Sequence, residues 1–169
     1  MGLVRLQITV FLTGAAFMAL EIISSRILAP YLGTSIIVWT SLIGVALLSL
    51  SAGYYLGGKL SDRKPDEKLL SLIIASASLY VTTLVITKDP VVFFISSTIR
   101  DLRIASILAV VFVLLVPSVL LGMVSPYAIK LATVNIKKVG TVAGRLYAIS
   151  TFGSILGTFL AGFILISYL

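Results

Sequence analysis

The chain has no cysteine and no histidine, and only six of its 169 residues are acidic. Without cysteine there are no disulfides and no thiolate chemistry, and without either residue the common zinc ligand sets are excluded. Imidazole acid–base catalysis is excluded as well, and no metal site is expected. Long polar stretches are scarce too, since 59% of the residues are hydrophobic and 11% charged. What fills the chain instead is apolar runs of about 18 residues or more, which read as transmembrane helices rather than as a soluble core. The first run is too long for the h-region of a signal peptide, so it is read as a span.

The hydropathy pattern predicts an all-α, polytopic transmembrane bundle forming a single domain over 1–169. Five spans are expected, near 6–28, 36–58, 69–87, 104–131 and 146–169. Pro30 and Gly33 break the chain after the first span, and Lys88-Asp89-Pro90 ends the third. Residues 91–103 are too short to cross and have an apolar front and a polar back, which suggests a short interfacial helix. Pro117 and Pro126 lie inside the fourth span and predict a kink.

Orientation follows from lysine and arginine. With the N-terminus in the cytoplasm, nine basic residues lie inside: Arg5, Lys59, Arg63, Lys64, Lys68, Lys130, Lys137, Lys138 and Arg145. Lys88, Arg100 and Arg103 lie outside, with Arg26 near the outer boundary. The loops 59–68 and 132–145 are therefore expected to be cytoplasmic, and 88–103 extracytoplasmic. The net charge of +7 reads as topology and attraction to anionic lipid in an inner cell membrane, not as affinity for nucleic acid.

Two segments repeat. "GVALLSLSAGYYL" (44–56) aligns without gaps with "GSILGTFLAGFIL" (153–165), so that Gly44 meets Gly153 and Gly53 meets Gly162. Pro30-Tyr31 and Pro126-Tyr127 recur near the ends of the first and fourth spans. On the expected topology the paired spans run in opposite directions, the pattern of an inverted repeat in a half-transporter. The plainer alternative is chance likeness between small-residue membrane helices. A three-helix unit leaves the second copy without its third helix, as expected for a piece of a longer protein or for a chain completed by a homodimer or a partner membrane chain.

Helix contact in lipid depends on small residues. Gly153, Gly157 and Ala161 form one such face, Gly53 and Gly57 another, and Ser71, Ala75, Ser78 and Thr82 a third. Glu21 is the one acid within the spans, about 22 Å along the first at 1.5 Å per residue. Inside the hydrocarbon such a group should face the bundle or water. Arg26 diverges from it by roughly 140° on an ideal helix. The two readings of Glu21 are a proton- or cation-binding carboxylate beside a cavity, and a hydrogen-bonded group tying helices together. Tyr31, Trp39, Tyr54, Tyr55, Tyr127 and Tyr147 are either cavity-lining or packing aromatics.

Gly58-x-Leu60-x-Asp62-Arg63 resembles the loop 2–3 signature of the major facilitator superfamily. Three longer stretches, "ALEIISSRILAPYLGTS", "LVPSVLLGMVSPYAIKLA" and "AGRLYAISTFGSILGTFLAGF", resemble the membrane portion of fused major-facilitator/spermidine-synthase-like proteins. The resemblance places Glu21, Arg26, Pro30, Tyr31, Gly33, Asp62, Arg63, Pro126, Gly144, Arg145 and Gly153 on characteristic positions. It implies that Asp62 and Arg63, with Arg145, hold helix ends and gate the cytoplasmic side. It also implies a transporter-like protein, moving a small organic cation such as a polyamine, or else a non-transporting anchor for an aminopropyltransferase-like partner. The chain has no glycine-rich loop after a strand, so an adenosyl cofactor has no site here and the chain alone is not expected to be an enzyme.

Overall fold

The structure, a computed structural model, describes residues 2–133 and 136–168. Five helical segments are long and apolar enough to cross a membrane: Leu3–Leu32, Ile36–Arg63, Glu67–Thr98, Leu102–Ala132 and Val139–Ser167. They are called the first to fifth spans below, and no strand occurs among the described residues. At about 1.5 Å per residue, 28 to 32 residues reach well beyond a hydrocarbon core of about 30 Å. In a bilayer, helices of this length carry their ends, and the charges on them, into the headgroup layers.

That length corrects the expected boundaries. The loop expected at 59–68 is three residues, 64–66, because the second span stays helical to Arg63 and the third begins at Glu67. Asp66 sets that start by accepting a hydrogen bond from the Lys68 amide. The loop expected at 132–145 shortens to 133–138, of which 134 and 135 lie outside the described residues, and Arg145 sits on the fifth span. Hydropathy marks the hydrocarbon, whereas backbone pairing carries each helix on into the headgroups.

The third span also runs unbroken through Pro90 to Thr98. Residues 91–98 are thus its last two turns rather than a separate interfacial helix, and Asp101 caps the fourth span after a short turn. Pro90 removes only the bond to the Ile86 carbonyl, near the end of the helix. Pro30 likewise stays inside the first span, which ends at Gly33 with φ 75°, a conformation that favours glycine.

Near Pro117, where the sequence predicts a kink in the fourth span, the helical pairing changes, while Pro126 lies inside an unbroken helix. Residues Val111–Leu115 make a π-turn between the α-helices Leu102–Val110 and Val116–Ala132. In that wider pairing the next partner of the Phe112 carbonyl is Pro117, which has no N–H. The Tyr80 hydroxyl, on the third span, donates to that carbonyl instead at 2.6 Å.

Two interfaces bring backbones together. A Cβ on Gly153 would stand 2.1 Å from the Phe11 carbonyl oxygen, and one on Gly157 2.2 Å from that of Ala15. A Cβ on Gly53 would stand 2.4 Å from the Val119 carbonyl oxygen, and one on Gly57 2.5 Å from that of Met123. The fifth span thus lies on the first and the second on the fourth, at distances only glycine permits. Ala161 is fully buried. The stripe Ser71, Ala75, Ser78 and Thr82 points outward instead, and the third span buries Leu70, Ile73, Ala77, Leu84 and Val92. Each hydroxyl of the stripe bonds the carbonyl four residues back, which removes its need for a partner helix.

Buried side chains form two clusters. One, around Leu6, Val10, Leu70, Tyr127 and Leu146, lies toward the end where the first span begins. The other, around Phe17, Leu28, Leu42, Leu84 and Leu114, lies toward the opposite end.

Candidate functional site

Between the two apolar clusters, four spans leave a cavity of about 180 Å³ that is open on one side, where Tyr54, Tyr147 and Thr151 are exposed. Its polar lining is Thr13 on the first span, Tyr54 on the second, Ser125 on the fourth, and Tyr147, Ser150, Thr151 and Ser154 on the fifth. The glycine contacts create it: Gly14 and Gly122 also line the space, so backbones meet there without side chains to fill the gap.

Two of these hydroxyls are committed to backbone. Thr13 donates to the Thr9 carbonyl at 2.9 Å. Ser154 lies 3.1 Å from its own helix's Ser150 carbonyl and 3.2 Å from the Gly14 carbonyl of the first span. The hydroxyls of Tyr54, Ser125, Tyr147, Ser150 and Thr151 have no hydrogen-bond partner among the described residues. Pro126 adds an acceptor, because it has no N–H to give the Gly122 carbonyl. No lining residue is ionisable at neutral pH. The site can therefore bind by hydrogen bonds and tyrosine faces, and it holds no acid–base or nucleophile–base pair.

Of the residues singled out from sequence, Tyr54 and Tyr147 line this cavity. Arg26 and Tyr31 line a second space, a groove of about 680 Å³ between the first and third spans. Glu21 lines neither. It lies two turns from Gly14 toward the Gly33 end, part-buried, and its carboxylate has no hydrogen bond or ion pair among the described residues. Trp39 is partly exposed near the start of the second span. Tyr127 is fully buried and acts as a tether: its hydroxyl donates to the Lys64 carbonyl and accepts from the Asp66 amide at 3.1 Å. It holds the 64–66 turn against the fourth span and does not reach the cavity.

The residues of the 58–63 motif sit on the last turns of the second span. Asp62 pairs with Lys130 of the fourth span at 2.7 Å, both exposed, and Arg63 has no partner among the described residues. A Cβ on Gly58 would meet open space. Arg145 donates to the Gln7 side-chain oxygen from Nε at 2.7 Å and from Nη2 at 3.1 Å, with the amide turned so that both groups are satisfied. Two of the three charged residues expected to hold helix ends thus make cross-span contacts at the basic end, through Lys130 and Gln7.

Sequence reasoning passed over Thr13, Ser125, Ser150, Thr151 and Ser154. A signal existed for part of this set: Tyr147, Ser150, Thr151 and Ser154 are spaced as one face of a helix. No such spacing points to Thr13 or Ser125. No family model, no curated protein and no solved structure matches the chain.

Proposed function

We propose that the chain is a transporter-like unit of the inner cell membrane, with its N-terminus in the cytoplasm, that binds a small polar solute in the central cavity. The observation that carries this reading is the cavity itself, with five free hydroxyls where four membrane-length helices cross. The nine basic residues gathered at the end where the first span begins support the orientation.

An inverted repeat accounts for the cavity's position. Gly53 meets Val119 as Gly153 meets Phe11, and Gly57 meets Met123 as Gly157 meets Ala15. These contacts favour a register that matches Gly53 with Gly153, not with Gly162. Applied to the lining, the same register pairs Thr13 with Leu121, Gly14 with Gly122, Phe17 with Ser125, Leu50 with Ser150 and Tyr54 with Ser154. Ten of the thirteen lining residues are exchanged among themselves in this register, which supports an inverted repeat with the cavity near its two-fold axis, where secondary transporters bind substrate.

The lining carries no carboxylate, so recognition of a polyamine there rests on hydroxyls and on the rings of Tyr54 and Tyr147, as cation–π contacts. Uptake into proteoliposomes tests the reading with labelled putrescine and a labelled neutral polyol as probes. Flux of either above protein-free vesicles, lost in Thr151→Phe with helicity unchanged, is the expected result. Absence of flux for both probes refutes transport.

The second reading, an anchor or scaffold for a synthase-like partner or a second membrane chain, is favoured by the small-residue stripe Ser71, Ala75, Ser78 and Thr82, which faces outward and suits close helix approach. It is distinguished by copurification of an aminopropyltransferase-like protein that is lost in Ser78→Leu, together with an unchanged flux blank.

A further inference from the structure

The groove between the first and third spans is independent of the central cavity and differs from it in chemistry. Its walls are Leu20, Ile23 and Ile27 on one side and Val81, Leu84 and Val85 on the other, spaced along each helix as a stripe. Its polar groups are Arg26, Tyr31, Lys88 and Asp89. Three of these satisfy one another: Lys88 Nζ lies 2.8 and 2.9 Å from the Asp89 carboxylate oxygens, and the Tyr31 hydroxyl donates to Oδ1 at 3.0 Å. Arg26 is left over, exposed, with no hydrogen bond or ion pair among the described residues. The groove therefore carries one uncompensated positive charge beside an apolar wall.

Height identifies what that charge meets. Counted at 1.5 Å per residue from the opposite end of each helix, Arg26 lies about 35 Å and Lys88 about 32 Å along. Both stand at the far edge of a hydrocarbon core of about 30 Å, the level of lipid phosphates. Below them the aliphatic stripes run toward the middle of the bilayer, parallel to an acyl chain.

We infer that this groove is a binding site for an anionic bilayer phospholipid, with its phosphate on Arg26 beside Lys88 and one acyl chain along the 20–27 and 81–85 walls. Guanidinium suits the task, because its planar fork matches a phosphate with two hydrogen bonds. A free inorganic anion would leave the wall uncovered, and an organic cation would face Arg26 with like charge. The site acts on the leaflet opposite the nine-residue basic end, where positive charge is otherwise sparse.

The test uses the chain's single tryptophan. In a Trp39→Phe background, Val85→Trp places a reporter in the groove, and Leu79→Trp places one on the exposed opposite side of the same helix. Quenching is then measured in vesicles containing brominated phosphatidylglycerol, brominated phosphatidylcholine or brominated oleic acid. At about 1 kcal/mol for a basic group at a membrane surface, phosphatidylglycerol is expected to bind about fivefold better than phosphatidylcholine at Val85→Trp, with no preference at Leu79→Trp. Arg26→Gln should abolish the preference and Arg26→Lys should keep most of it. Equal quenching by the two phospholipids at Val85→Trp, a preference unchanged by Arg26→Gln, or quenching by the free fatty acid alone overturns the proposal.

Discussion

Replacing Gly153 with alanine adds one methyl group where the first span leaves no room. Its Cβ would lie 2.1 Å from the Phe11 carbonyl oxygen and 2.9 Å from the carbonyl carbon, both backbone atoms that no rotamer change can move. Restoring ordinary contact at 3.4 Å requires the first and fifth spans to part by about 1.3 Å. Forced overpacking of this kind costs about 1–3 kcal/mol. Gly44 gives the reference, because a Cβ there meets nothing within 4 Å. In a helix interior the same exchange normally gains about 0.5–1 kcal/mol. The two substitutions should therefore separate by roughly 1.5–4 kcal/mol with opposite signs. Reversible unfolding by sodium dodecyl sulfate in mixed micelles, followed by far-ultraviolet circular dichroism, reads the difference. If Gly153→Ala were as well tolerated as Gly44→Ala, the close packing of the first and fifth spans would be refuted.

Tyr80→Phe should destabilise by about 1–3 kcal/mol, because the Phe112 carbonyl loses its donor. In a double-mutant cycle Pro117→Ala should recover much of that loss by returning an N–H to the π-turn, and strict additivity would contradict the assignment. Tyr127→Phe should release the 64–66 turn, seen as faster hydrogen exchange at the Asp66 amide, with about 1 kcal/mol lost in the same unfolding assay; unchanged exchange would contradict the tether.

The number of spans was legible in the sequence because bilayer hydrocarbon demands about 20 apolar residues at each crossing. Their ends were not, since charge marks the edge of the hydrocarbon while backbone hydrogen bonding sets the edge of the helix. Asp66 and Asp101 fix two starts through capping, and Gly33 fixes one end through its φ. Pro117 announced a distortion, but the π-turn depends on Tyr80, more than thirty residues away.

The site was legible only in fragments. Glu21 draws attention as the lone acid within the apolar runs of the sequence, yet neither space described here includes it. Small polar residues are ambiguous in a membrane helix, because a hydroxyl can bond its own backbone. Thr13 and the outward stripe on the third span do so, whereas Ser125 and Ser150 do not. The glycines are visible by spacing; which helix each one meets, and hence where the cavity opens, depends on contacts between distant segments.

The absence of native cysteine makes the central proposal directly measurable. Ser125→Cys, Ser150→Cys and Ser78→Cys, each alone in sealed proteoliposomes, are treated with a membrane-impermeant thiol reagent. A hydrated polar cavity between the spans predicts labelling at 125 and 150 and none at 78, which faces lipid. Cavity positions as inert as 78, with 78 itself unlabelled, would contradict a solute-accessible site at the centre of the bundle.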